Sequence, residues 1–142
     1  MIEVKPDAKG YNTRQYLTLK GESELAQGEM LKLSLGETII CGRSRHCDWS
    51  LKRTPNYLMS NDEDRKMIRK SLVFRSVSRQ HVRIAYLSGD MVDIENLSTN
   101  GTFVDGNRVD RIILKDCETT PHTIQLGPAG VVLRLEPGSL PL

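Results

Sequence analysis

Three short stretches pair small or hydroxyl residues with strong hydrogen-bond donors. They are Gly42-Arg43-Ser44, Ser78-Arg79-Gln80-His81 and Asn96-Leu97-Ser98-Thr99-Asn100-Gly101-Thr102. Guanidinium, hydroxyl and amide donors gathered at one place would suit a doubly charged anion with several oxygens, such as a phosphate group. Arg43 has the planar fork for a bidentate pair with it, and Ser78 and Thr99 have hydroxyls to donate.

Bringing three distant stretches together needs a scaffold whose loops converge. Nine short runs read as strands: Tyr16–Leu19, Met30–Ser34, Thr38–Cys41, His81–Leu87, Met91–Ile94, Gly101–Val104, Arg111–Leu114, Thr123–Leu126 and Val131–Leu135. Val82-Arg83-Ile84 and Val92-Asp93-Ile94 alternate apolar with polar, placing one face on a core and the other in water. Ser88-Gly89-Asp90 and Asp105-Gly106-Asn107 have hairpin-turn chemistry. This pattern predicts an all-β sandwich, whose loops meet at its ends.

Residues 52–77 break that rhythm. Ser60-Asn61-Asp62-Glu63 has capping-box spacing and predicts a helix over about 61–70, with Ile68 and Leu72 as a narrow apolar stripe. A connection this long inside a domain implies a recognition element or a mobile flap. The whole chain of 142 residues carries a net charge of +2, but Lys52 to Arg75 holds seven cations and three anions. That stretch is +4 and the rest sums to −2.

Length and composition (38% hydrophobic, 27% charged) fit one globular domain. No apolar run reaches a membrane span and the first residues lack signal-peptide character, so the expected location is cytoplasmic, or nuclear in a eukaryote. The three cysteines, Cys41, Cys47 and Cys117, are odd in number and form no Cys-x-x-Cys pair, which predicts free thiols. Cys41, His46, Cys47 and His122 match no standard zinc spacing, and no cofactor or metal is expected. Ser78, His81 and Asp93 superficially supply a hydrolase triad. Residues three apart in extended chain face opposite sides and no Gly-x-Ser-x-Gly elbow is present, so Ser78 and His81 should diverge and no enzyme is expected. Trp49 is expected at the edge of the core.

Taken in order, Gly42-Arg43, Cys47-Asp48-Trp49-Ser50-Leu51, Ser78-Arg79-Gln80-His81, Ser98-Thr99-Asn100-Gly101-Thr102-Phe103-Val104-Asp105-Gly106 and Ile124-Gln125-Leu126-Gly127 resemble the forkhead-associated (FHA) domain from roughly Tyr16 to Glu136. The resemblance implies an eleven-stranded β-sandwich in two sheets that recognises phosphothreonine peptides and catalyses nothing. Arg43 and Ser78 would hold the phosphate, Thr99 would add a hydroxyl, Arg79 a second charge, and Asn100 would bond the peptide backbone. Gly42, His81 and Gly101 would support the loops. The sequence departs from the family pattern at the long insertion, at Asn96, where Asp is common, and at Asp116-Cys117-Glu118, where an Asp-Gly-Asp turn is usual.

The expected organisation is a tail at 1–14, an FHA-like domain at 15–136 with the basic insertion 52–77 in a ligand-end loop, and a tail at 137–142. The expected partner is a phosphothreonine-containing protein, with no membrane role. Two alternatives remain open: a phosphate-independent scaffold, and a nucleic-acid accessory protein using the insertion. Tyr57 and Phe74 as its only aromatics make a thin stacking platform.

Overall fold

Period-two patterning sets the architecture. Along β1 (Tyr16–Gly21) Leu17 and Leu19 are buried, and along β10 (His122–Leu126) His122, Ile124 and Leu126 are, with half-buried residues between them. In this computed structural model, which describes residues 16–88 and 91–138, eleven strands form two sheets. The others are β2 (Met30–Ser34), β3 (Thr38–Gly42), β4 (Trp49–Ser50), β5 (Val82–Tyr86), β6 (Val92–Asn96), β7 (Thr102–Val104), β8 (Asn107–Val109), β9 (Arg111–Leu114) and β11 (Val132–Pro137).

One sheet runs β2-β1-β11-β10-β7-β8 and the other β4-β3-β5-β6-β9. In-register pairs put apolar residues on the shared interior: Leu19 faces Leu31 and Leu135, and Ile84 faces Ile39 and Ile94. Among the described strands only β3 and β4 pair in parallel. The expected tail 1–14 and the turn residues Gly89 and Asp90 lie outside the described residues.

Two strands exceed the nine runs. β4 falls within the stretch that the family pattern singles out, although Leu51 starts a short 3-10 turn instead of prolonging it. β8 is mostly exposed and carries no apolar alternation, so periodicity had nothing to register. It is created by its turn. Asp105 (φ 51°) and Gly106 (φ 87°) both take left-handed backbone, the two-residue hairpin that matches strand twist. Asn107 therefore belongs to the strand, not to the turn.

The insertion is more than the lone helix expected over 61–70. It folds as α1 (Pro55–Leu58), α2 (Asp62–Lys70) and α3 (Leu72–Ser76), each opened by a side-chain cap. Thr54 Oγ1 accepts from the Tyr57 N–H, Asn61 Oδ1 from Asp64 and Ser71 Oγ from Phe74. The cap of α2 is thus Asn61, one residue beyond the expected Ser60, whose hydroxyl donates to Asn56 O. Ile68 is half-buried against the core as expected, but Leu72 is 65% exposed. The main anchors are Tyr57, Phe74 and Val77, all members of the central apolar cluster. Trp49 is fully buried, deeper than an edge position, and satisfies its indole N–H on Glu29 O at 3.1 Å.

Among the described residues no helix is long and apolar enough to cross a membrane.

Candidate functional site: a cationic cavity at the loop end

Backbone pairing draws the first two motifs together. Where β3 ends, Arg43 N–H donates to Ser78 O at 2.9 Å and Ser44 N–H to Arg79 O at 3.1 Å. The approach is so close that a Cβ on Gly42 would lie 2.2 Å from Arg79 O. Glycine is required here by contact, not by an unusual φ. Cys47 adds a thiol bond to Arg79 O at 3.0 Å.

His81 ties in the third motif. Its Nδ1 accepts the Ser78 backbone N–H at 3.0 Å, so the ring proton sits on Nε2 and is donated to Gly101 O at 2.7 Å. Burial holds this imidazole below its ordinary pKa, keeping it neutral, which the accepting nitrogen requires. The expected divergence of Ser78 and His81 fails in one respect. Residues 78–81 precede β5 and do not alternate as a strand, so the ring folds back onto the Ser78 backbone. With both nitrogens spent on backbone groups, and Asp93 engaged by Arg111, the three form no triad.

Asn96 organises the loop that follows. Its Oδ1 accepts from Ser98 N, Ser98 Oγ and Thr102 Oγ1 at 3.2, 2.7 and 2.8 Å. Ser98 Oγ in turn accepts from Gly101 N at 2.9 Å and lies 3.0 Å from His81 Nε2. Asn96 and Ser98 thus join His81 and Gly101 as supports, a role foreshadowed only by the Asn-x-Ser spacing of a side-chain-capped turn. Gly101 has φ 98° and accepts from Gly127 N–H at 2.9 Å, joining a fourth loop to the same end.

The expected contact residues do not all share one surface. Arg43 and Arg79 line a cavity of about 760 Å³. Ser78 is half-buried nearby with its backbone committed to Arg43 and His81, and Thr99 is exposed at the tip of its loop. Asn100 donates its amide to Ser76 O at 3.0 Å, at the end of the insertion.

The insertion completes the cavity wall, which sequence reasoning did not assign. Arg65 and Arg69 of α2 and Lys52 join Arg43, Arg45 and Arg79. None of these six cations has a carboxylate partner among the described residues, and what sets them apart from other unpaired cations such as Arg75 and Arg108 is that they line one cavity. Aromatic rings hold two of them in place. The Arg43 guanidinium lies over Phe74 at 5.7 Å, Phe74 stacks on Tyr57 at 5.9 Å, and Arg65 lies over Tyr57 at 5.3 Å. Arg65 also donates to Tyr57 O and Leu58 O at 2.9 and 2.6 Å, and Arg69 to the Tyr57 hydroxyl at 3.0 Å.

The cysteines are free and buried, and burial pushes the Cys41 thiol well above its ordinary pKa. His122, drawn into the discounted zinc set, is instead gripped by Asp105 Oδ2 on Nδ1 at 2.6 Å and Asp116 Oδ1 on Nε2 at 2.7 Å.

The FHA domain family model matches residues 39–119, more than half of the chain. This protein belongs to the FHA domain family. Solved structures agree in fold. The FHA domain of CT664 from Chlamydia trachomatis is 23% identical, with TM-score 0.60 over 87% of this chain and 99% of that one. An Arabidopsis thaliana FHA domain is 22% identical, with TM-score 0.61 over 94% and 96%. The FhaA FHA domain, solved in complex with the intracellular domain of Rv3910, is 23% identical, with TM-score 0.54 over 84% and 99%. No curated protein matches the chain.

Proposed function

We propose that this domain is a phosphothreonine-dependent recognition module that joins a phosphorylated partner protein to the assembly it serves. The observation that carries this reading is Arg43 and Arg79, brought to one cavity without carboxylate partners, with Arg43 held by backbone pairing and by Phe74. An unneutralised cluster of this kind is costly unless an anion meets it, and guanidinium forks suit phosphate oxygens. Arg43 and Arg79 take the phosphate, with Ser78 and Thr99 adding hydroxyls from the adjoining loops. Asn100 bonds the peptide backbone through whichever of its groups Ser76 leaves open. Gly42, His81 and Gly101 hold the geometry.

Membership in the FHA family supports this reading, since FHA domains are recognition modules and not enzymes. So do the relatives studied for phosphothreonine-dependent interactions or solved with a Myc-pTBD peptide. The test is capture of a degenerate phosphothreonine peptide library beside its unphosphorylated twin, by wild type and Arg43→Ala. A charge-assisted hydrogen bond contributes about 1.5–3 kcal/mol, so Arg43→Ala should weaken capture at least about tenfold. Equal capture of the two libraries would overturn the reading.

A further inference from the structure

We infer that the insertion builds a second anion subsite, so that the ligand carries a second phosphorylated or acidic residue near the phosphothreonine. This rests on the phosphopeptide reading and names the ligand class of the same site. A phosphate brings about −1.5 to −2 charge, which Arg43 and Arg79 suffice to meet. Lys52, Arg45, Arg65 and Arg69 remain on the same wall without a counter-charge among the described residues.

Helix α2 is arranged around that surplus. Its acids, Asp62, Glu63 and Asp64, all fall in the first turn, and Asp62 and Glu63 line a separate surface with Asn61 and Lys66. Arg65 and Arg69, four residues apart, share the face turned to the cavity. Like charges at that spacing destabilise a helix, so their juxtaposition favours an anion between or beside them. The two arginines are not equivalent. Arg65 spends Nε and Nη2 on the carbonyls of Tyr57 and Leu58, whereas Arg69 commits one Nη1 contact to the Tyr57 hydroxyl and keeps the rest of its fork. Arg69 and Lys52 are therefore the donors that the insertion itself offers to the second subsite, with Arg45 beside them from outside the insertion.

A single-stranded nucleic acid would also satisfy positive charge, but it needs exposed rings for its bases. The Tyr57 and Phe74 rings are buried, 8% and 3% exposed, and they are occupied by each other and by Arg65 and Arg43.

The experiment measures binding of three fluorescent peptides by anisotropy at two salt concentrations. All carry one phosphothreonine, flanked by neutral residues, by glutamates, or by a second phosphoserine two to four positions away. Wild type is expected to bind one or both of the more anionic peptides at least about tenfold better than the neutral-flanked one. Lys52→Gln with Arg69→Gln should erase that advantage while leaving the neutral-flanked affinity within about twofold, and Arg69→Lys should keep most of it. The glutamate and phosphoserine arms show which anion is preferred. An absent advantage, or one that survives the double variant, overturns the subsite. Competition by a single-stranded oligonucleotide at peptide-like affinity, lost in the double variant, would overturn it in favour of nucleic acid. Failure of the underlying reading looks different: no peptide would then depend on its phosphothreonine or on Arg43.

Discussion

Arg43 lies over the ring of Phe74, 5.7 Å from its centroid, so the arginine at the end of β3 is held by a side chain of the insertion. The segment that interrupts the strand pattern thereby helps to position the arginine proposed to take the phosphate. Phe74 is also 3% exposed within the core cluster. One side chain thus belongs to the core and also supports the guanidinium proposed to take the phosphate.

Phe74→Leu should separate these two roles. Leucine keeps most of the buried apolar volume but removes the ring beneath the guanidinium, a contact worth about 0.5–1 kcal/mol at an exposed site. Phosphothreonine-peptide affinity should fall about two- to fivefold by titration calorimetry, with the fold retained by circular dichroism. Unchanged affinity would show that Arg43 is positioned by its backbone alone.

Gly42→Ala should be more damaging than its size suggests. Its added carbon would stand 2.2 Å from Arg79 O, which forces the 43–44 and 78–79 segments apart. Overpacking of this kind costs about 1–3 kcal/mol. A lowered melting temperature together with loss of peptide binding is expected; a variant as stable as wild type would mean that the two loops part freely.

Asn100→Ala removes the bond from the Ser76 carbonyl as well as the amide assigned to the peptide. Hydrogen exchange across residues 74–78 should therefore quicken even without ligand, and affinity should drop about tenfold. Exchange that stays at the wild-type rate would place Ser76 under the control of other contacts.

The His122 bridge predicts a pH dependence of stability. Burial works against the charged imidazole, but the bonds to Asp105 and Asp116 outweigh it and raise its pKa above 6.5. Asp105 is also partly desolvated, yet its bonds to His122 and the Thr123 N–H hold its pKa below 3.8. The folded state therefore binds the His122 proton more tightly than the unfolded chain, so this stabilisation is full below pH 6.5 and fades as pH rises through the elevated value. The Asp105 contribution has the opposite sense: it is present above pH 3.8 and lost as pH falls through the depressed value. Urea melts from pH 5 to 9 should show wild type losing stability towards the alkaline end, and His122→Gln should flatten that slope. Parallel curves would remove His122 as the source.

β2 was legible to the residue because burial on one face leaves a period-two trace in Leu31 and Leu33, and β9 because Ile112-Ile113-Leu114 is a short apolar, β-branched run. β8 left none, since its residues are mostly exposed and only the left-handed pair Asp105-Gly106 turns the chain into it. At the cavity, the meeting of Arg43 and Arg79 was legible from residue type and order. The place of Lys52 and Arg69 on the same wall was not, because a charge run reads the same whether it faces solvent or a cavity. Tyr57 and Phe74 were also opaque: two aromatics in a basic loop resemble a sparse stacking platform until packing shows them stacked on each other. Ser60 and Asn61 are both good caps, and only the hydrogen bond to Asp64 distinguishes them.

Because Tyr57 and Phe74 are core residues borne by the insertion, that segment cannot be trimmed, exchanged or grafted as an independent loop. Removing residues 54–74 would take out both rings and leave Arg43 without its support, so lost binding in such a deletion would report unfolding as readily as recognition. The same coupling runs in the other direction. A ligand that settles onto Arg43 and Arg69 presses on groups anchored to the hydrophobic interior, and occupancy should be felt as protection of the β3–β5 sheet from exchange rather than as ordering of a surface loop.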